Sequence, residues 1–261
     1  MHFLSNARVA NELVRASGVG SGDLVVEFGA GFGAITEPLA DTGATVLAVE
    51  RDEHFVRRLR RRFQCRDTVR IRHADARLFP LPRRNFTVVA SIPFAVSSPL
   101  LRRMLDPARR PLCGADIIVE WGLAKRVTTR IPRDLEMAWW NARYRIRVHR
   151  RVPASAFTPA PSVDAAHLTI RRVPGMTGAT HKALWLLLAS AYRQPGLRAG
   201  SLLKTVLGGR PPHRSLEAAG ITPHTPVREV APRQWAELAR DLATVRPGRW
   251  PELPKKLAED R

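Results

Sequence analysis

The chain is short of three things: acidic residues, cysteines and long apolar runs. Two cysteines, Cys65 and Cys113, in 261 residues build no disulfide framework and match no metal-ligand spacing. They read as reduced thiols of a cytoplasmic protein, and no metal is expected. No run of about 18 apolar residues is present, which excludes a membrane-spanning helix and a membrane partner. Residues 1–10 carry no basic segment followed by an apolar run, so no signal peptide is expected. The shortage of acids has the largest consequence. Against 23 Asp+Glu stand 43 Lys+Arg, a formal net charge of +20. An excess of this size implies a polyanionic partner, nucleic acid before membrane. Most of the cations are arginines, which pair bidentately with phosphate and stack on bases. Codon bias would favour arginine over lysine but does not explain the surplus over acids. What the chain does have is apolar content. At 44% hydrophobic residues it can fill a core, and its length suits one large domain with a small one.

The apolar pattern along the chain alternates between two periods. Residues 6–17 have helical spacing, and Gly18 stops them. Leu24-Val25-Val26-Glu27-Phe28 reads as a buried strand. It opens into Gly29-Ala30-Gly31-Phe32-Gly33, followed by a helical pattern to about Thr42. A second strand, Thr45 to Val49, ends at Glu50, and a basic helix covers Asp52 to Phe63. Val69 to Arg72 is a third strand, leading to Asp75. Phe86 to Ala90 is a fourth, ending at Ser91-Ile92-Pro93-Phe94. A helix over Ser98 to Leu105, a strand over Ala115 to Val119 and a helix near 121–128 follow. Tyr144 to Val152 and Asp164 to Ile170 form a closing antiparallel pair. This alternation specifies an α/β fold with a mainly parallel twisted sheet covered by helices. Val173-Pro174-Gly175 reads as a linker to a small helical domain, with segments at 182–193, 197–207, 214–219 and 232–244. The expected domains are thus residues 1–172 and 173–245, with a loose, Pro-rich tail at 246–261.

Four short segments carry the chemistry. A strand ending in Glu27-x-Gly29-x-Gly31-x-Gly33 brings bare backbone to a ligand at the carboxyl edge of a sheet. Read with Ala34, the same residues satisfy G-x-G-x-x-A, a dinucleotide fingerprint, and Glu50 would hold ribose hydroxyls in either case. Asp75 follows the third strand, where an ordinary turn aspartate is the simpler reading. Ser91-Ile92-Pro93-Phe94 ends the fourth. A hydroxyl and a backbone carbonyl there can accept the hydrogens of an exocyclic amine, whose lone pair is otherwise delocalised into its ring. Phe94 can stack on a flipped base, worth about 1–3 kcal/mol, and Pro93 stiffens the turn. Last comes Phe157-Thr158-Pro159-Ala160-Pro161, a stiff loop whose Phe157 is either a second wall of a base pocket or a buried anchor.

On these four segments, in this order, the chain resembles the rRNA adenine N6-methyltransferase family. The likeness is greatest to the Erm proteins, which methylate an adenine of 23S rRNA and confer macrolide, lincosamide and streptogramin B resistance. It runs from residue 2 to about residue 245. The resemblance implies a Rossmann-like domain that binds S-adenosylmethionine (SAM), plus a small C-terminal helical domain. It implies cofactor contacts from His2, Leu4, Gly29, Ala30, Gly31, Glu50, Arg51, Asp75, Ala76 and Ser91, with Glu50 on the ribose and Asp75 on the adenine. The catalytic set it implies is Ser91, Ile92, Phe94 and Phe157. Two positions depart from the family. Ser91 stands where Asn is usual, and Met1-His2-Phe3-Leu4 replaces Gln-Asn-Phe-Leu.

Other readings remain at this level. The individual motifs are shared with small-subunit rRNA dimethyltransferases, although these favour Asn-Leu-Pro-Tyr over Ser-Ile-Pro-Phe. A non-catalytic nucleic-acid-binding relative would not need the glycine turn and both acids. A nicotinamide-dependent dehydrogenase would leave the charge of +20 unexplained. The expected enzyme is a cytoplasmic monomer acting on rRNA. Arg57, Arg58, Arg60, Arg61 and Arg62, close after Glu50, are its expected RNA contacts, with the arginines of residues 143–151 as the alternative footprint.

Overall fold

In the computed structural model the chain begins with a two-residue strand, β1 (Phe3–Leu4), and a helix, α1 (Ala7–Ser17). Asn6 caps that helix by accepting the Val9 N–H at 3.1 Å. Gly18 ends it in the left-handed region at φ 66°, the conformation glycine adopts at least cost. The structure describes residues 2–108, 111–209, 213–245 and 250–258. They fall into two units. The first takes in residues 1–104, 110–126 and 146–172, and the second residues 105–109, 127–145 and 173–261.

In the first unit the strands and helices alternate as expected: β2 (Leu24–Phe28), α2 (Thr36–Ala40), β3 (Thr45–Glu50), α3 (Glu53–Arg62), β4 (Val69–His73), β5 (Phe86–Ser91) and α4 (Ser97–Leu105). After them come β6 (Leu112–Glu120) and α5 (Trp121–Val127). Beyond α6 (Leu135–Arg143) lie β7 (Tyr144–Val152), β8 (Phe157–Thr158) and β9 (Ala165–Arg172). Seven strands form one sheet in the order β4-β3-β2-β5-β6-β9-β7. The pairs from β4 to β6 are parallel, and β9 runs antiparallel to β6. All five residues of β2 are buried, as a central strand covered on both faces requires. The chain passes from β2 to β3 and β4 on one side, then returns to β5 on the other. The order therefore reverses between β2 and β5, and the carboxyl ends of those strands flank the crevice where such sheets bind ligands.

Two features of this unit were not anticipated. Strand β1 pairs antiparallel with β8, Phe3 opposite Thr158 and Leu4 opposite Phe157. The helix after the glycine turn is also shorter than its pattern suggests, because the chain spends residues 32–35 in turns.

The second unit holds α6, α7 (Gly178–Arg193), α8 (Ala199–Leu207), α9 (His213–Ala218), α10 (Pro232–Val245) and α11 (Lys255–Ala258). Helix α6 escapes periodicity because it is buried on nearly every side: Met137, Ala138, Trp139, Trp140, Ala142 and Arg143 are all inside. The Arg143 guanidinium donates to the carbonyls of Leu105 and Pro107 and lies 4.4 Å over the Trp139 ring. Trp140 Nε1 donates to Asp106 Oδ1 at 2.7 Å. Arg143 is thus committed to structure and drops out of the alternative RNA footprint. The C-terminal segment is not loose where it is described. Leu257 in α11 is buried, and its carbonyl accepts the Ala108 N–H at 2.8 Å. Residues 246–249 and 259–261 lie outside the described residues. Among the described residues no helix is long and apolar enough to cross a membrane.

Candidate active site

A cavity of about 430 Å³ opens at the carboxyl ends of β2, β3, β4 and β5, entirely within the first unit. Its floor is the glycine turn. Gly29 has φ 74° and Gly31 φ 52°, values that L side chains avoid. Space is restricted as well. A Cβ on Gly31 would lie 2.9 Å from the Phe3 ring, and one on Gly29 would lie 3.3 Å from Pro93 Cδ. The turn is tied to the neighbouring strand, since the Gly29 N–H donates to the Val49 carbonyl at 2.8 Å.

Glu50 ends β3 and is only 5% exposed. One carboxylate oxygen accepts the Gly31 N–H at 2.9 Å; the other accepts the N–H groups of Arg51 and Asp52 at 2.7 and 2.9 Å. The oxygen that accepts from Gly31 keeps a further lone pair, so the carboxylate can also receive a ligand hydroxyl. Beside it lies Glu27, 2% exposed, accepting from the Thr36 hydroxyl at 2.6 Å. Burial pushes the Glu27 carboxyl up to about 8; the Thr36 hydroxyl opposes that rise, and the charge of Glu50 adds to it. Asp75 follows β4. Hydrogen bonds from the Arg77 side chain and N–H hold its carboxyl at about 2.

Ser91 is the last residue of β5, and the Ile92 N–H donates to the Ile118 carbonyl of β6 at 3.0 Å. Phe94 opens a single helical turn whose Val96 N–H and Ser97 hydroxyl both bond the Pro93 carbonyl, at 3.0 and 3.2 Å. The turn is therefore held from both ends, with Phe94 facing the cavity. Phe157 meets Phe94 edge-on at 6.5 Å, and His2 lies tilted to it at 6.4 Å.

Of the residues expected from sequence, His2, Leu4, Gly29, Ala30, Glu50, Arg51, Asp75, Ala76, Ser91, Ile92, Phe94 and Phe157 all line this cavity. Gly31 does not line it; its N–H is turned to Glu50. The sequence reading missed Glu27, Phe3 and Phe32 as lining residues. The two phenylalanines join Phe55 of α3 in a three-ring cluster with centroids 4.8–5.1 Å apart. An aromatic residue at a variable position of the glycine turn, opposite aromatics at Phe3 and Phe55, was the available signal.

The expected RNA arginines divide. Arg62 is bound to Glu37 and to the Phe32 carbonyl, Arg57 pairs with Glu53 at 2.8 Å, and Arg58 lies 5.1 Å over the Phe32 ring. Arg60 and Arg61 are exposed. On β7, Arg145 and Arg147 are exposed, whereas Arg150 and Arg151 pair with Glu12 and Asp164.

The cavity suits a SAM molecule in chemistry as well as size. Three carboxyl groups, Glu27, Glu50 and Asp75, line it with a single arginine, Arg51. SAM is a cation at its sulfur and amine and presents a ribose diol and an adenine, so this set of acceptors fits it. The doubly wound sheet closed by the antiparallel strand β9, with this acid-lined crevice, is that of a SAM-dependent methyltransferase.

The family model for ribosomal RNA adenine dimethylases matches residues 1–244, and the chain belongs to that family. It is an rRNA adenine N6-methyltransferase whose methyl donor is SAM. The mycinamicin-resistance protein MyrB of Micromonospora griseorubida is 31% identical over 242 residues, 92% of this chain and 76% of the relative. A ribosomal RNA small subunit methyltransferase A from Synechococcus sp. (strain WH7803) is 30% identical over 258 residues, 92% of this chain and 91% of the relative. The crystal structure of the 23S rRNA methyltransferase ErmE superposes with a TM-score of 0.76 at 21% identity, covering 92% of this chain and 99% of that one. That likeness is one of fold.

Proposed function

We propose that this enzyme methylates N6 of an adenine in 23S rRNA and so confers resistance to macrolides, lincosamides and streptogramin B. The observation that carries the proposal is the Ser91-Ile92-Pro93-Phe94 turn, set beside Phe157 at the mouth of the SAM cavity. Ser-Ile-Pro-Phe leans away from the Asn-Leu-Pro-Tyr that small-subunit enzymes favour, and resemblance to MyrB, a resistance protein by name, points the same way. The 30% identity to a small-subunit methyltransferase supports the second reading, a ribosome-assembly enzyme acting on the small subunit.

The chain's own residues supply orientation. Glu50 receives the ribose diol of the cofactor, Asp75 the adenine amine, and Gly29 and Ala30 let its backbone approach. Leu4, Arg51 and Ala76 complete the cofactor wall. SAM supplies an electrophilic methyl group on its sulfonium. A flipped adenine stacks on Phe94 with Phe157 at its edge. Ser91 Oγ and the Ile92 carbonyl together accept one hydrogen of N6, which draws the nitrogen lone pair out of the ring and toward the methyl. Arg60 and Arg61 hold the phosphate backbone outside the cavity. The enzyme acts as a monomer, in the cytoplasm where its substrate is made.

The test is methyl transfer from labelled SAM to purified 23S and 16S rRNA. Primer extension and nucleoside analysis then locate the product, and macrolide susceptibility is compared in cells with and without the gene. Label on 23S rRNA as N6-methylated adenine, with raised macrolide tolerance, is expected. Label confined to 16S rRNA would establish the small-subunit reading.

A further inference from the structure

His2 occupies a position where the family carries Asn, and its surroundings fix more than a cofactor contact would need. Its Nδ1 lies 2.7 Å from the Pro159 carbonyl oxygen. A carbonyl only accepts, so Nδ1 carries the hydrogen and donates. That hydrogen bond selects the neutral tautomer in which Nε2 is a bare lone pair. Nε2 is on the opposite edge of the ring from Pro159. His2 has no other hydrogen bond among the described residues, and it lines the cavity with its ring 6.4 Å from that of Phe94. The segment that carries it is held in register. Phe3 pairs with Thr158 and Leu4 with Phe157, and the Ser5 N–H donates to the Ala156 carbonyl at 3.0 Å. The imidazole is thus mounted on the loop that also supplies Phe157.

We propose that His2 serves the acceptor base rather than the cofactor: its Nε2 accepts a hydrogen of the target amine beside Phe94 and then takes the proton that methylation releases. The proposal rests on the reading of Phe94 as the stacking wall for adenine. As the N6–CH3 bond forms, the C–S bond breaks and its electron pair goes to sulfur, leaving S-adenosylhomocysteine. The positive charge now on N6 is relieved when one of its hydrogens passes to Nε2. The imidazolium keeps Nδ1–H on Pro159 and, being exposed, gives its proton to water. The same arrangement accounts for Ser91. A serine reaches less far than asparagine, and His2 provides a second acceptor. The residues that hold His2, namely Pro159, Thr158, Phe157 and Phe94, bring no charge to it. The ionisable groups of the cavity are Glu27, Glu50, Arg51 and Asp75 at the strand ends.

The test uses the full chain with H2Q and H2A. Glutamine still accepts a hydrogen bond but cannot take the proton. Single-turnover rates with bound RNA and SAM, measured against pH, should show an acid limb in the wild type that both variants lack. The plateau rate should fall about tenfold or more in H2A and less in H2Q. SAM affinity by calorimetry should stay within about twofold in both. Nitrogen-15 NMR of the wild type should show the Nδ1–H tautomer in the neutral ring, independent of activity. A parallel loss of SAM affinity and rate, an acid limb unchanged in H2Q, or a neutral Nε2–H tautomer would each overturn the proposal. Absence of N6-methyladenine from the wild-type product would instead overturn the function on which it rests.

Discussion

Glu50 accepts the Gly31 N–H at 2.9 Å, so the acid at the end of one strand holds closed the glycine turn at the end of the next. Its other oxygen accepts two more backbone donors at the start of α3. A residue in this arrangement cannot act on the cofactor alone. In Glu50→Gln one of these oxygens becomes an NH2 group facing backbone N–H donors. The expected cost is about 1–3 kcal/mol of stability, together with at least tenfold weaker SAM binding. Thermal unfolding and calorimetry measure the two effects separately. Normal unfolding with impaired SAM binding would show that the backbone contacts contribute little.

Phe94 should separate binding of cofactor from turnover. Its ring faces Phe157 and His2, with no partner among the acids that would hold SAM. Phe94→Ala is expected to lower methyl transfer by an amount comparable with a lost base stack, about 1–3 kcal/mol in the barrier, at nearly unchanged SAM affinity. Ser91→Asn, which restores the residue usual in the family, should be tolerated. A matched fall in SAM affinity and rate for Phe94→Ala would make it a packing residue instead.

Much of this site is legible in the sequence because local pattern sets it. The strand period ends at Phe28, Glu50 and Ser91, and residues at the carboxyl edge of a parallel sheet converge without further information. What escaped has equally physical reasons. A two-residue strand has no period, so nothing near Phe3 announces that it pairs with Thr158, far along the chain. Helix α6 has no polar face to contrast with its apolar one. Arg143 counts as a charge in the sequence but spends its donors on carbonyls inside the protein. The arginine run of α3 reads as uniform, yet its members differ in which acid or ring lies within reach.

That difference decides which arginines should matter for RNA binding. Arg60 and Arg61 are exposed, whereas Arg62 bonds Glu37 and the Phe32 carbonyl at the rim of the cavity. Replacing Arg60 and Arg61 with Ala should weaken RNA binding and reduce the salt slope by about 0.7 for each phosphate of single-stranded RNA that is no longer neutralised. SAM affinity should not change. Arg62→Ala should leave the slope nearly intact and weaken SAM binding through Phe32. A salt slope unchanged in the double variant would move the footprint elsewhere, with Arg145 and Arg147 the next residues to replace.

Glu27 gives the most distinctive pH behaviour. Its carboxyl titrates near 4.5 in an unfolded chain and at about 8 in the folded one, because burial disfavours the charge. Between those values the folded state keeps a proton that the unfolded state has lost. Stability contributed by this group therefore falls as pH rises from 4.5 to 8 and is level above. Glu27→Gln should flatten the dependence in that window and make the protein more stable than wild type at its alkaline end. A cationic ligand in the same cavity reverses the preference, since a nearby positive charge favours the carboxylate. SAM binding at pH 7 should then release up to one proton from Glu27, and binding should tighten as pH rises toward 8. Calorimetry in two buffers of different ionisation enthalpy measures this directly. The wild type should give different heats in the two buffers, and Glu27→Gln the same heat in both. Equal heats for the wild type would mean that Glu27 stays protonated with SAM bound, and that its carboxyl does not pair with the positive charge of the cofactor.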